Sequence, residues 1–134
     1  MTTDQSGHEQ APASLGWITI DCDDADAQAT FYSRALGWEI TFSEGPYSGI
    51  SDGRLTIEFN AVEGYQRPQW PDHGGAKQFH LELMVDDLDQ AAESLLTAGA
   101  AQPQFQPGGD RFRVLTDPSG HPFCIIDRAV AAAD

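Results

Sequence analysis

The chain has 134 residues, a length suited to one domain or to two small modules around a shared core. Its 21 acidic and 7 basic side chains give a formal net charge of −14. This charge argues against nucleic-acid binding and against an anionic membrane surface, because few groups could neutralise phosphates. No apolar run approaches the ~20 residues that cross a bilayer. The two cysteines and the lack of a secretory pattern favour reduced thiols and a cytoplasmic protein.

The first half of the chain predicts a strand, a helix and three further strands. Residues 1–14 are polar and are expected to form a disordered tail. The alternating run 15–21 predicts a strand. Asp23 or Asp24 then caps a helix that ends at Gly37. Three more strands are predicted, separated by turn sequences, over residues 38–42, 47–51 and 54–62.

Residues 63–77 form a predicted linker that contains two prolines and three glycines. A loop of this length in a compact domain is usually functional or mobile. Trp70 lies within it and could close over a bound ligand.

The second half repeats the order of the first. In the run 79–85, Phe79, Leu81, Leu83 and Val85 share one parity, whereas His80, Glu82 and Met84 share the other. Asp86 or Asp87 caps a helix over residues 88–98. Strands are then predicted over 101–105, 111–116 and 122–127, followed by a short tail, 128–134, that could form a helical turn.

An acidic motif shows that the two halves are related. Asp23, Asp24 and Asp26 recur 63 residues later as Asp86, Asp87 and Asp89. We therefore predict an α+β fold of two βαβββ modules, over residues 15–62 and 78–127. The helices would cover the outer face of a cup-shaped mixed sheet, and the opposite strand faces would line the cup.

Three motifs resemble the vicinal oxygen chelate superfamily, which includes glyoxalase I, bleomycin-resistance proteins and extradiol dioxygenases. They are FYSRALGW at 31–38, HLELMVDDLD at 80–89 and DPSGHPFC at 117–124. The pattern is most similar to the glyoxalase-like branch. The resemblance implies a duplicated βαβββ unit, a cup and often a homodimer.

The resemblance also implies where a metal would bind. Superfamily enzymes that use a metal hold it in the cup with His and Glu side chains. Here His80 fills one such position and Glu58 lies near another, but the remaining two positions are Trp17 and Cys124. Because an indole does not bind metals, the pattern predicts a cup without a metal. Glu58 and His80, with Cys124 as a third donor, remain candidates for a zinc site.

Several side chains are candidates for contacting a ligand in the cup: Trp17, Glu58, Trp70, His80, Glu82, Arg113, Phe123 and Cys124. The large aromatic candidates Trp17, Trp70 and Phe123 would form the walls of the cup. His80 and Glu82, about 7 Å apart on a strand, would touch one ligand without contacting each other directly. Arg113 would either face the cup or pair with Glu58 or Glu82.

Three functions fit these residues. The first is metal-independent binding of a small aromatic or apolar molecule, as in sequestration or resistance, or a diverged enzyme. The alternative is a metal-dependent lyase, isomerase or dioxygenase with Glu58 and His80 as ligands. The third is a protein-docking module. The acidic charge would suit a cationic small molecule. The residues leave open whether the protein catalyses a reaction.

Overall fold

The structure is a computed structural model that describes residues 11–12, 14–71, 77 and 79–133. The predicted N-terminal tail, residues 1–14, lies largely outside the described residues. Residues 72–76 of the predicted linker also lie outside them. The elements are β1 (Ile18–Cys22), α1 (Ala25–Leu36), β2 (Glu39–Glu44), β3 (Tyr47–Ser51), β4 (Thr56–Ala61), β5 (Glu82–Val85), α2 (Leu88–Ala98), β6 (Phe112–Thr116), β7 (Pro122–Asp127) and α3 (Arg128–Ala133). Among these helices, none is long and apolar enough to cross a membrane.

The strands form two sheets with the same pattern of pairing. The first has the order β1-β4-β3-β2, with β1 parallel to β4 and the other pairs antiparallel. The second has the order β5-β7-β6, with β5 parallel to β7 and β6 antiparallel to it. In each module the strand before the helix therefore pairs in parallel with the module's last strand. The predicted α+β fold of two related modules is confirmed.

The same device starts the helix in both modules. Asp24 has extended backbone angles, and its carboxylate accepts a hydrogen bond from the Ala27 amide at 3.0 Å. Asp87 has nearly the same angles and accepts from the Gln90 amide at 3.0 Å. Such a cap stabilises a helix by about 1 kcal/mol because it satisfies an otherwise unpaired N–H. The second aspartate of each acidic pair is the cap, and Gly37, at φ +73°, ends α1 as predicted.

One hydrophobic core joins the two modules. Phe31 and Tyr32 of α1 are buried, and the Tyr32 ring stacks on Phe59 of β4 with centroids 5.5 Å apart. Both rings also reach the second sheet, where the Phe31 centroid lies 5.8 Å from that of Phe123. Since a single helix packs on strands of both sheets, neither module has a separate core.

A buried carboxylate adds a polar connection between the modules. Asp117, only 2% exposed, accepts hydrogen bonds from Tyr32 Oη at 2.8 Å and Gln28 Nε2 at 3.0 Å. Its other oxygen accepts from the backbone amides of Ser119 and His121. Burial, and then the nearby carboxylate, raise the pKa of Tyr32 well above its ordinary value. The predicted turn 117–120 thus also links α1 to the second sheet.

Three predicted strands differ from the observed ones. Strand β1 begins at Ile18, three residues later than the predicted start at residue 15. Strand β5 begins at Glu82, three residues later than predicted, and Phe79 is 98% exposed. The prediction that Phe79 packs beneath the helix was therefore wrong, although Leu81, Leu83 and Val85 do pack against the core. The alternation of residues along the sequence predicted that Phe79 lies on the helix side of the sheet. Side chains alternate between two faces only within a strand, and Phe79 precedes the strand.

The predicted strand 101–105 is reduced to a single bridge between Ala101 and Thr116. Pro103 has no N–H to donate to a neighbouring strand. The side-chain amide of Gln106 instead bonds both the N–H and the carbonyl of Val114, each at 2.9 Å. A side chain thus takes the place of the fourth strand at this edge, and the second sheet has three strands.

Candidate functional site

Each sheet packs one face against the helices and leaves the other free of them; we call the two helix-free faces together the cup. On the first sheet, the pairing register places Thr19 beside Glu58, Glu58 beside Gly49, and Gly49 beside Phe42. A Cβ atom on Gly49 would lie 2.2 Å from the Phe42 ring. The missing side chain at Gly49 therefore lets this ring approach the sheet next to Glu58.

Trp17 is held at the edge of this face by a chain of hydrogen bonds. Its Nε1 donates to Thr19 Oγ1 at 3.1 Å, and the Thr19 hydroxyl donates to Glu58 Oε1 at 3.0 Å. Trp17 is nevertheless 58% exposed. Together with Phe42 and Thr56, Trp17 and Glu58 line a cavity of about 290 Å³, which we call the first-sheet pocket. It combines aromatic surface with one carboxylate.

The second sheet carries a cluster of polar side chains on its cup face. His80 Nε2 lies 2.8 Å from Glu82 Oε2, and His80 Nδ1 lies 2.8 Å from the Lys77 carbonyl oxygen. A carbonyl only accepts hydrogen bonds, so Nδ1 carries a hydrogen. The contact between Nε2 and Glu82 requires a proton on one of these two groups. The expectation that His80 and Glu82 do not bond directly was wrong, because His80 precedes the strand and does not follow its spacing.

Cys124 completes this cluster from the adjacent strand. The register pairs Cys124 of β7 with Glu82 of β5, so their side chains share a face. The thiol is fully buried, and its sulfur lies 3.4 Å from Lys77 Nζ. Burial raises the pKa of Cys124, an effect that the Lys77 ammonium opposes and Glu82 reinforces. At neutral pH this thiol is therefore protonated and a poor nucleophile.

Lys77 is the one lysine of the chain, and its ammonium lies in an aromatic setting. Nζ is 5.3 Å from the Trp70 ring centroid and 5.1 Å from that of Phe112, distances typical of cation–π contacts. Trp70 Nε1 in turn donates to the Phe105 carbonyl at 3.3 Å. Sequence reasoning named Trp70 but missed Lys77 and Phe112, although a single lysine in so acidic a chain was a signal.

A cleft of about 480 Å³ is lined by residues of both modules. Thr19 and Asp21 line it from the first module, and His80 and His121 line it from the second. His121 Nε2 lies 2.6 Å from the Asp21 carbonyl oxygen, so this nitrogen is the donor and fixes the ring across the module boundary. Thr19 also belongs to the hydrogen-bond chain of Glu58, so this chain and His80 border the same cleft.

Two predicted site residues do not reach the cup. Phe123 is fully buried among the core aromatics, on the face of β7 opposite to Cys124. Adjacent residues of a strand point to opposite faces, so Phe123 and Cys124 could not both line the cup. Arg113 bonds Asp89 of α2 at 2.9 Å, and its predicted pairing with Glu58 or Glu82 was wrong.

The donors implied by the resemblance do not assemble into one metal site. Trp17 offers no ligand atom, and Glu58 is hydrogen-bonded to Thr19. A different set does converge: one donor atom each from His80, Glu82 and Cys124 lie within 4.8 Å of one another, and Glu58 is outside this group.

The fold is the one found in proteins of the glyoxalase/bleomycin resistance/dioxygenase class. A family protein from Burkholderia phytofirmans PsJN superposes with a TM-score of 0.64 at 21% identity, covering 86% of this chain and 98% of its own. A bleomycin-binding protein in complex with bleomycin gives 0.54 at 24% identity, covering 87% and 99%. Likeness at these identities establishes the fold.

The family follows from a sequence comparison. A family model described as a glyoxalase-like domain matches residues 17–126, and the chain belongs to this family, within the vicinal oxygen chelate superfamily. It is also 30% identical over 120 residues to CFP32 of Mycobacterium bovis and of Mycobacterium tuberculosis, proteins with the provisional name glyoxylase. The aligned region is 87% of this chain but only 44% of those relatives.

Proposed function

We propose that this protein binds a small planar molecule with an aromatic or apolar body in its cup, without a metal, and so acts in sequestration. The observation that carries the proposal is Trp17, an indole that is 58% exposed and yet fixed by a hydrogen bond beside Phe42. A large aromatic side chain that is exposed to water would be stabilised by a ligand that covers its apolar surface.

The polar groups of the cup favour a ligand with a cationic or hydrogen-bond-donating edge. Glu58 is the carboxylate of the first-sheet pocket, and its Oε1 accepts a hydrogen bond from the Thr19 hydroxyl. The charge of −14 would raise the local concentration of cations. The bleomycin-binding protein among the structural neighbours is a precedent for ligand binding on this fold.

The metal-dependent alternative requires Glu58 and His80 on one ion, whereas among the described residues the donor atoms that lie together are those of His80, Glu82 and Cys124. The expected homodimer forms part of the proposal and rests on the resemblance; a measurement of mass in solution tests it.

Ligand titrations followed by fluorescence test the proposal. Ethidium, a planar aromatic cation, serves as the probe, and anilinonaphthalene sulfonate is its anionic counterpart. We expect ethidium to bind more tightly, and Trp17→Ala to weaken its binding about tenfold, since an aromatic contact contributes ~1.4 kcal/mol.

Trp38→Phe is the matched control, because Trp38 packs against the core and does not line the first-sheet pocket. Equal losses in Trp17→Ala and Trp38→Phe would show that the cup is not the binding site. Binding of neither probe to the native protein, together with a copurifying protein partner, would favour the docking-module hypothesis instead.

A further inference from the structure

The ammonium of Lys77 contacts aromatic rings in a chain that is rich in carboxylates. Within the part of the chain that the structure describes, its Nζ makes no ion pair, although the sequence has 21 acidic side chains. Nζ lies instead 5.3 Å from the ring centroid of Trp70 and 5.1 Å from that of Phe112. It also donates a hydrogen bond to Cys124 Sγ at 3.4 Å. We call the two rings and this thiol the aromatic cage.

Contacts that do not involve Lys77 hold both rings of the cage. Trp70 Nε1 donates to the Phe105 carbonyl oxygen at 3.3 Å, and the centroids of these two rings lie 6.0 Å apart. Phe112 belongs to β6, and Gly108 leaves room for it, because a Cβ atom on Gly108 would lie 2.6 Å from the Phe112 ring. The position of each ring therefore does not depend on the lysine side chain.

The presence of an ammonium between aromatic rings indicates which chemistry this place favours. The electron-rich faces of the rings attract a positive charge, and the neutral thiol does not repel it. A primary ammonium gives up hydrogen bonds to water when it enters such a cage. A quaternary ammonium has no N–H groups to desolvate, and its methyl groups can contact both rings. The cage therefore suits a quaternary ammonium better than the lysine that occupies it.

We propose that the aromatic cage binds the quaternary ammonium group of a small organic cation, and that Lys77 occupies the cage until such a ligand displaces it. Binding exchanges one cation for another, so the charge within the cage stays the same. The lysine side chain is tethered beside the rings and therefore competes at a high effective concentration. The cage includes neither Trp17 nor Glu58 of the first-sheet pocket. It does not rest on the proposed function, and either proposal can fail alone.

Calorimetric titration with choline tests the site, and dimethylbutanol, the neutral carbon analogue of choline, is the matched ligand. We expect choline to bind about tenfold more tightly than dimethylbutanol, because the two molecules have the same shape and differ in charge. Trp70→Leu should weaken choline binding by about tenfold, since it removes one aromatic face of the cage. Trp38→Phe is the control variant, because Trp38 packs against the core.

Two replacements of Lys77 separate displacement from the effect of long-range charge. Lys77→Ala empties the cage and should tighten choline binding about tenfold, the factor expected if lysine leaves the native cage free about a tenth of the time. Lys77→Met removes the same charge but keeps an apolar side chain of similar length in the cage, so its gain should be smaller. Equal gains in the two variants would refute the competition by Lys77.

Because Lys77 is the one lysine, its displacement can be observed directly. Reductive methylation with ¹³C-formaldehyde labels Lys77 and the N-terminal amine, and the labelled lysine keeps its charge. We expect its methyl signal in native protein to lie upfield of its position in urea-unfolded protein, since aromatic rings shield groups above their faces. Choline should move the signal toward the unfolded position, and the spectrum of Lys77→Met identifies the signal of the N-terminal amine.

Three results would overturn the proposal: no upfield shift in native protein, a shift that choline leaves unchanged, or no choline binding to Lys77→Ala. Dimethylbutanol binding as tightly as choline would show an apolar pocket and not a cation site. These measurements remain decisive if Trp70→Leu fails to fold, because they require no change to the rings of the cage.

Discussion

The Asp117 carboxylate offers a sharp test of how the two modules are held together. Its two oxygens accept four hydrogen bonds, two from side chains of α1 and two from backbone amides of its own turn. Four accepted bonds use the full acceptor capacity of an ionised carboxylate. Asp117→Ala would leave Tyr32 Oη and Gln28 Nε2 without this partner in the interior.

The magnitude follows from those lost partners. Each buried donor left unsatisfied costs about 1–3 kcal/mol, and hydrogen bonds to a charged group lie at the upper end. Local rearrangement and entering water recover part of this, so we expect Asp117→Ala to lower the free energy of unfolding by ~3–5 kcal/mol. A domain of this size has a total stability of about 5–15 kcal/mol, and the variant would therefore be marginal.

Urea unfolding followed by circular dichroism measures the change. Asp86→Ala is the matched control, since Asp86 is exposed and its ion pair with Arg128 should contribute about 1 kcal/mol or less. Tyr32→Phe, which keeps the ring packing and removes one of the four bonds, should fall between the two variants. A loss below about 1 kcal/mol in Asp117→Ala would refute the view that this carboxylate connects the modules.

Two further predictions concern the cup and the response to alkali. Gly49→Ala should displace the Phe42 ring, because the new Cβ would lie 2.2 Å from it, and should weaken ethidium binding with little change at the second sheet; unaltered binding would remove Phe42 from the site. Burial raises the pKa of Cys22 to about 11 and that of Tyr65 to about 12. The unfolded chain loses these protons at lower pH, so stability should hold up to about pH 9 and fall as pH rises further. A stability curve that is flat from pH 9 to 12 would contradict this sign.

The helices and turns could be predicted from the sequence because their causes are local. An aspartate caps a helix through an amide three residues away, so the repeated acidic motif located both α1 and α2. The turn at 117–120 could also be predicted from the sequence. The hydrogen bonds of Asp117 to α1 could not, since Tyr32 and Gln28 lie more than 80 residues from Asp117 along the chain.

The candidate site was only half predictable. Alternation correctly placed Glu82 and Glu58 on the cup faces, but it could not show that β5 starts at Glu82. This start leaves His80 free to turn onto Glu82 and leaves Phe79 in solvent. Likewise no pattern in the sequence showed that a glutamine side chain would replace the strand 101–105.

The sequence by itself determined the duplicated α+β fold, the pair of aspartates from which each helix cap comes and the parity of residues within the observed strands, because hydrophobic period and capping act over a few residues. Only the tertiary structure decided which donors meet. The parallel register of β5 and β7 sets Cys124 beside Glu82, and the shared core draws Phe123 inward. Those outcomes depend on pairing between distant segments, where a shift of one residue reverses the face of every side chain.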